Sequence, residues 1–166
     1  INGLCRIALD KLKKTYEQDI QEKNIRIIFD NLTLSLMMEV NVEQFSKVLA
    51  GILKNSMYAL LKKSETVTFS PEIFLGLKVN KDMLEITIRD NGSGIDENIK
   101  DKIFAPFFTT KTTGEAAGVG LYLCREIVQN HRGTIEVESK KGEYTQFLIT
   151  IPVYQPKTIT PPKEEE

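Results

Sequence analysis

Two stretches, Ile73–Val79 and Met83–Arg89, alternate apolar with polar residues on either side of Asn80-Lys81-Asp82. That pattern constrains the chain more than any other, because a period of two with a polar turn commits both stretches to an antiparallel hairpin. One face of that hairpin must then be covered. A second hairpin is predicted from Thr134–Ser139 and Gln146–Val153 about Lys141-Gly142, and a short strand from Ile25–Phe29. Leu34–Val40 reads as a further short strand. The cover comes from helical periodicity. Leu4, Ile7, Ala8, Leu12 and Ile20 predict a helix to about Lys23. Phe45, Val48, Leu49, Ile52, Leu53, Met57 and Leu60 predict a long one that starts at Asn41-Val42-Glu43. Val119–Asn130 predicts a third, with Leu121, Leu123, Cys124, Ile127 and Val128 buried and Gly133 as a left-handed cap beyond its end. A short helix is expected from Ile99 to Phe108 and a mobile loop from Thr112 to Gly118. Strands in hairpins with helices between them define an α+β class, its mixed or antiparallel sheet covered on one face.

Composition narrows the chemistry. At 166 residues the chain suits one domain, 1–154, followed by a tail, 155–166, with three prolines and Glu164-Glu165-Glu166, read as a disordered end or linker. The 41% hydrophobic and 27% charged fractions are those of a globular protein, not a disordered one. A net charge of -1 argues against a sequence-independent grip on nucleic acid. One histidine, His131, and two distant cysteines exclude a zinc ribbon, a His-Glu-x-x-His protease and a Cys-x-x-Cys redox site. Cys5 and Cys124 are expected as free thiols in a reducing cytoplasm, and no apolar run is long enough to span a membrane. Ile1 in place of Met points to excision from something longer.

Function must then rest on carboxylates, amides, lysines and glycines. Asp90-Asn91-Gly92-Ser93-Gly94-Ile95 leaves a predicted strand. An acid buried at a strand end can accept from an exocyclic amine such as that of adenine, and glycines two apart let backbone press on a flat ring. A tight turn before a helix signal in Asp96-Glu97 explains the same residues equally well. Gly114 to Leu121 opens a helix, whose free N–H groups and dipole suit a phosphate, although it lacks the Walker A Gly-Lys-Ser/Thr. A flexible loop is the plainer reading. Asn55 lies on or beside the apolar face of the long helix, where an amide needs a partner. It could ligate a hard cation such as Mg²⁺ or simply bond nearby backbone. Phe104-Ala105-Pro106-Phe107-Phe108-Thr109-Thr110-Lys111 supplies aromatics for a core or a lid anchor.

Taken in order, an Asn in a helix, Asp-x-Gly-x-Gly after a hairpin, Phe-x-Pro-Phe-Phe and Gly-x-Gly-Leu opening a helix resemble the nucleotide-binding domain of sensor histidine kinases. These belong to the superfamily shared with gyrase, the mismatch-repair ATPases and a heat-shock chaperone. The resemblance runs from about Leu4 to Val153. It implies a two-layer α/β sandwich, a mixed, mostly antiparallel sheet backed by three helices. It implies ATP and Mg²⁺ as ligands, with Asn55 on the metal and Lys54, Tyr58 and Ala59 near the nucleotide. Asp90 would bond the adenine amine, and Gly92, Gly94 and Ile95 would line its pocket. Phe104, Pro106, Phe107 and Phe108 would anchor the lid, with Lys111 approaching the phosphates and Thr110 among the nucleotide-binding residues, and Gly118, Val119, Gly120 and Leu121 would form the second glycine box. Asn55 and Lys111 are the residues implied to act in catalysis.

The resemblance further implies a partner histidine on a helical dimerisation hairpin of the same full-length protein, with a response-regulator receiver domain downstream. The isolated domain is expected to be a monomer, and the full-length protein a homodimer that could be membrane-anchored. Departures from the pattern also carry expectations. Hydrolysing relatives place a Glu four residues before the Mg²⁺ asparagine; here that position is Gly51, which disfavours hydrolysis as the main reaction. Ala116 and Ala117 replace the inner Gly and Thr of the lid. Gly51 and this Ala pair leave a nucleotide-sensing scaffold, and steady turnover would leave a gyrase-type clamp, as alternatives. His131 precedes Arg132-Gly133 and not an acid, so it is expected as a structural or capping residue and not as the phosphoacceptor.

Overall fold

The structure, a computed structural model, describes residues 1–33, 36, 38–110, 118 and 120–153. Its elements run α1 Asn2–Thr15, α2 Glu17–Glu22, β1 Arg26–Asp30, α3 Val42–Ser64, β2 Glu72–Asn80, β3 Met83–Asp90, α4 Glu97–Lys100, α5 Gly120–Asn130, β4 Thr134–Lys140 and β5 Tyr144–Pro152. The five strands make one sheet in the order β1-β2-β3-β5-β4. Both expected hairpins are present. β2 pairs antiparallel with β3 from Ile73↔Asp90 to Asn80↔Met83, and β3 pairs antiparallel with β5, placing Asp90 opposite Thr145. β1 pairs with β2 in parallel, so α3 is the crossover of a β-α-β unit and the sheet is mixed.

The long helix forms because its apolar residues share one face and Asn41 caps its start, its side-chain oxygen accepting from Gln44 N at 3.0 Å. All seven expected residues of that face are fully buried. They meet Ile73, Leu75 and Leu77 of β2, Leu84, Ile86 and Ile88 of β3, and Phe147, Ile149 and Ile151 of β5. With α1 and α5 flanking α3, the result is an α+β two-layer sandwich with helices on one face.

Four expectations need revision. The first helix breaks at Tyr16 (φ -115, ψ 28) into α1 and α2. Just before the break, Thr15 Oγ1 donates back to Lys11 O at 2.8 Å, a bond that bends helices. Of Leu34–Val40, Leu34, Ser35 and Met37 lie outside the described residues, and the remaining four form no strand. The helix expected from Ile99 to Phe108 is only the single turn of α4, followed by turns. Beyond α5 the left-handed residue is Arg132 (φ 58), not Gly133. Gly133 is required for a different reason: a Cβ there would stand 2.3 Å from Thr150 O. The expected loop at Thr112–Gly118, apart from Gly118, and the tail from 154 fall outside the described residues.

Candidate functional site: a buried carboxylate beside the long helix

Three polar side chains are buried among the described residues, Ser56, Asp90 and Thr145, and they converge. Asp90 ends β3, 2% exposed, with Thr145 as its cross-strand partner on β5. Ser56 faces it from α3. Asp90 Oδ1 accepts from Gly92 N at 3.0 Å. Burial pushes the carboxyl up to about 6, against the pull of the Ser56 hydroxyl, the Gly92 amide and the charges of Lys63 and Arg89. Ser56 Oγ is buried and faces that carboxylate, with no other hydrogen-bond partner among the described residues. A carboxylate buried this far is costly, and a further N–H donor would lower that cost.

The turn that follows is held on every side. Asn91 accepts from Glu72 N at 2.8 Å and donates to Ser70 O at 2.8 Å, while Lys63 Nζ donates to Asn91 O at 2.8 Å. Ser93 N donates to Ala59 O at 3.1 Å, and Gly142 N donates to Ser93 O at 2.7 Å. The two glycines are demanded by these contacts. A Cβ on Gly92 would stand 2.7 Å from the Ala59 backbone, and one on Gly94 (φ +64) would stand 2.2 Å from Lys140 O. Their first task is therefore to seat the turn between α3 and the β4–β5 hairpin, a reason the sequence alone does not disclose. Ile95 is half-buried and donates its N–H to Ser139 Oγ at 2.8 Å.

The α3–α5 packing carries the site outward. His131 Nε2 accepts from Asn41 N at 2.9 Å, Cys124 Sγ donates to Val48 O at 3.9 Å, and a Cβ on Gly51 would stand 3.2 Å from Cys124 Sγ. The helices are thus antiparallel, and continuing the register brings Gly120, at the start of α5, level with Asn55. Asn55 and Ala59 are one turn apart on one face of α3, so Asn55 lies between the Asp90 turn and the α5 N-terminus. Lys54 is exposed and Tyr58 half-buried, with Lys62 Nζ 5.9 Å from its ring centroid. Among the described residues no group of three or more His, Cys, Asp or Glu is placed to hold a metal. A cation here would lean on an amide oxygen and on oxygens of a ligand and water, a donor set that suits Mg²⁺.

Phe104 is a core residue, edge-on to Phe147 at 6.3 Å between centroids and with Arg125 over its ring at 5.7 Å. Phe107 points out, 78% exposed at φ 64, Phe108 is half-buried, and Pro106 and Thr110 are exposed. Gly118 (φ +70) lies against the Phe107–Phe108 backbone, where a Cβ would stand 2.5 Å from Phe107 C. Leu121 packs on the core. Lys111, Val119, Glu115, Ala116 and Ala117 lie outside the described residues. The structure therefore gathers Asn55, Ala59, Asp90, Gly92, Gly94 and Ile95 around one end of α3, and sets Phe104 in the core behind them.

Ser56, Thr145 and Ser139 were missed from the sequence, although the first two had a signal. Ser56 interrupts the apolar positions Ile52 and Leu60 at helical spacing, and Thr145 shares the inward face of Phe147, Ile149 and Ile151. A hydroxyl on a core face is a polar group that needs a purpose. Ser139 becomes visible only once its partners are folded together.

His131 is accounted for structurally. Its Nδ1 bonds Ile127 O at 2.7 Å while Nε2 accepts from Asn41 N, and its ring packs edge-on to Phe45. One ring nitrogen donates and the other accepts, so both are committed to joining the end of α5 to the start of α3.

The family of histidine kinase-, DNA gyrase B-, and HSP90-like ATPases matches residues 41–155. Cyanobacterial phytochrome A of Nostoc sp. is 35% identical over 149 residues, 88% of this chain and 18% of that protein. The sensor histidine kinase AtsR of Burkholderia thailandensis is 33% identical over 149 residues, 84% of this chain and 24% of that protein. The chain thus spans less than a third of either relative. The solved catalytic domain of histidine kinase ThkA superposes with a TM-score of 0.73 at 28% identity, covering 92% of this chain and 91% of that one. On the match over residues 41–155 and the shared fold, this chain belongs to that ATPase family, as a domain of the sensor histidine kinase type.

Proposed function

We propose that this domain binds Mg²⁺-ATP and donates the γ-phosphoryl group to a histidine on a helical hairpin elsewhere in the full-length protein, from which a response-regulator receiver domain would take it. The observation that carries this reading is Asp90, a carboxylate 2% exposed at the end of β3 with its carboxyl pushed up to about 6 by burial. An N–H donor from an adenine amine stabilises its charged form and offsets the desolvation. Asn55 supplies an amide oxygen to the metal, and the N-terminal amides of α5 with Lys111 face the phosphates. Mg²⁺ held at Asn55 would supply charge neutralisation for the phosphates. The residues otherwise position and orient, which is most of the work in phosphoryl transfer.

Gly51 bears on the direction of transfer. It offers no carboxylate to activate water, and the Cys124 thiol occupies the direction a side chain there would take. Transfer to a protein histidine is favoured over hydrolysis on that ground. The test is labelled ATP added to the full-length protein, read as acid-labile phosphohistidine. No phosphohistidine, with ATP binding still abolished by Asp90→Asn, would replace the kinase reading by a nucleotide-sensing scaffold. Steady phosphate release by the isolated chain would replace it by a clamp. Asn55→Ala should weaken Mg²⁺-ATP at least about tenfold more than metal-free ATP; equal losses would remove Asn55 from the metal.

A further inference from the structure

Ser139 stands on the edge strand β4, outside every motif of the site, yet it joins three pieces of the adenine end. Its Oγ accepts from Ile95 N at 2.8 Å, donates to Tyr144 O at 2.7 Å and lies 3.0 Å from Thr145 Oγ1. A serine hydroxyl has one proton. Spent on the Tyr144 carbonyl, it leaves Ser139 an acceptor toward both other partners, so the Thr145 hydroxyl must donate to Ser139. Thr145 Oγ1 can then only accept from anything else. Thr145 is 4% exposed and is the cross-strand partner of Asp90, with both side chains on the inner face.

We infer that Ser139 is a positioning residue for nucleobase choice: it fixes the Thr145 hydroxyl as an acceptor beside the Asp90 carboxylate and holds Ile95 in the same network. The inference rests on the nucleotide reading above and deepens it. Two acceptors side by side favour a group with two N–H donors, an exocyclic amine, and disfavour a carbonyl oxygen at the same place. Adenine nucleotides meet that demand, whereas hypoxanthine nucleotides present an oxygen there. The energetic lever is the cost of facing a buried acceptor with another acceptor.

The test compares ADP and inosine diphosphate by calorimetry on the 166-residue chain, well below its melting temperature. The unsubstituted chain should prefer ADP by tenfold or more, roughly the worth of one well-made hydrogen bond to a charged group. Ser139→Ala should lower ADP affinity about tenfold while inosine diphosphate changes less, so that the preference narrows. Ser139→Thr, which keeps the hydroxyl, should restore it. If Ser139→Ala does not fold, Ser139→Cys, close in size and a poor acceptor, takes its place with the same expectation. An unchanged preference, or equal losses for both nucleotides as a purely structural role would give, overturns the inference alone. Failure of the unsubstituted chain to bind either nucleotide overturns the nucleotide reading and the inference with it.

Discussion

The molecule has two glycine-bearing stretches next to one helix, and glycine does opposite work in them. In the turn at 90–95, both glycines are dictated by protein: Gly92 lies against Ala59 of α3 and Gly94 against Lys140, and hydrogen bonds clamp the turn from α3, β2 and the β4–β5 hairpin. At the start of α5, Gly118 is likewise packed, against Phe107 and Phe108, but a Cβ on Gly120 would meet nothing within 4 Å among the described residues. A glycine with room for a methyl group, opening a helix, leaves backbone N–H groups accessible to an anion. The comparison teaches that the turn at 90–95 is built into the core, whereas the start of α5 carries a glycine that no described side chain or backbone requires, with an exposed Phe107 nearby. On the function proposed above, base recognition would be separated from phosphate chemistry along α3, with Asn55 between them.

The comparison can be broken most forcefully at Asp90. The unfolded carboxyl ionises near 3.8 and the folded one near 6, so the folded state holds the extra proton between those values. Stability of the ligand-free chain therefore falls as pH rises from about 4 to about 6 and is level above, a loss of about 3 kcal/mol in all. Asp90→Asn should return about that much stability at pH 7 in urea denaturation while reducing ATP binding by at least about a hundredfold. A destabilised variant would show the buried charge to be structurally required.

Gly94→Ala should rank next. Forcing a Cβ against Lys140 O at positive φ should cost about 2–3 kcal/mol in the same denaturation assay. A smaller loss, with nucleotide affinity kept, would show that the turn is not clamped as described. His131→Ala should cost about 1–2 kcal/mol for its two hydrogen bonds and leave phosphohistidine formation in the full-length protein unchanged; loss of labelling would make His131 more than a brace. Gly120→Ala should have the smallest effect on the fold, within about 1 kcal/mol and of either sign. It should nevertheless weaken ATP more than adenosine. Equal weakening of both would mean that the start of α5 does not face phosphate.

Much of this was readable in advance, for a physical reason. Period-two and period-3.6 patterns are local, and burying their apolar faces leaves few alternatives, so both hairpins and the whole inward face of α3 follow from residues near in sequence. Where expectation failed, the competing force was tertiary or concerned a single atom. The break at Tyr16 follows a side chain bonding back to its own helix, and Gly133 answers to β5 and not to its own helix end. The candidate site divides in the same way. Asp90 and Asn55 stand out because an acid at a strand end and an amide on an apolar face are conspicuous. Ser139 does not, since a serine on an edge strand is ordinary until Ile95, Tyr144 and Thr145 are brought to it.

By itself, then, the sequence determined the class of fold, the order of the motifs and the family they point to, because each depends on side-chain type and local spacing. Tertiary structure alone decided that Asp90 shares its buried surroundings with Ser56 and Thr145, that Gly51 faces a thiol, and that both ring nitrogens of the single histidine are committed. Those facts depend on strand register and helix packing between segments tens of residues apart, where the burial of one charge is set by every chain segment that closes over it.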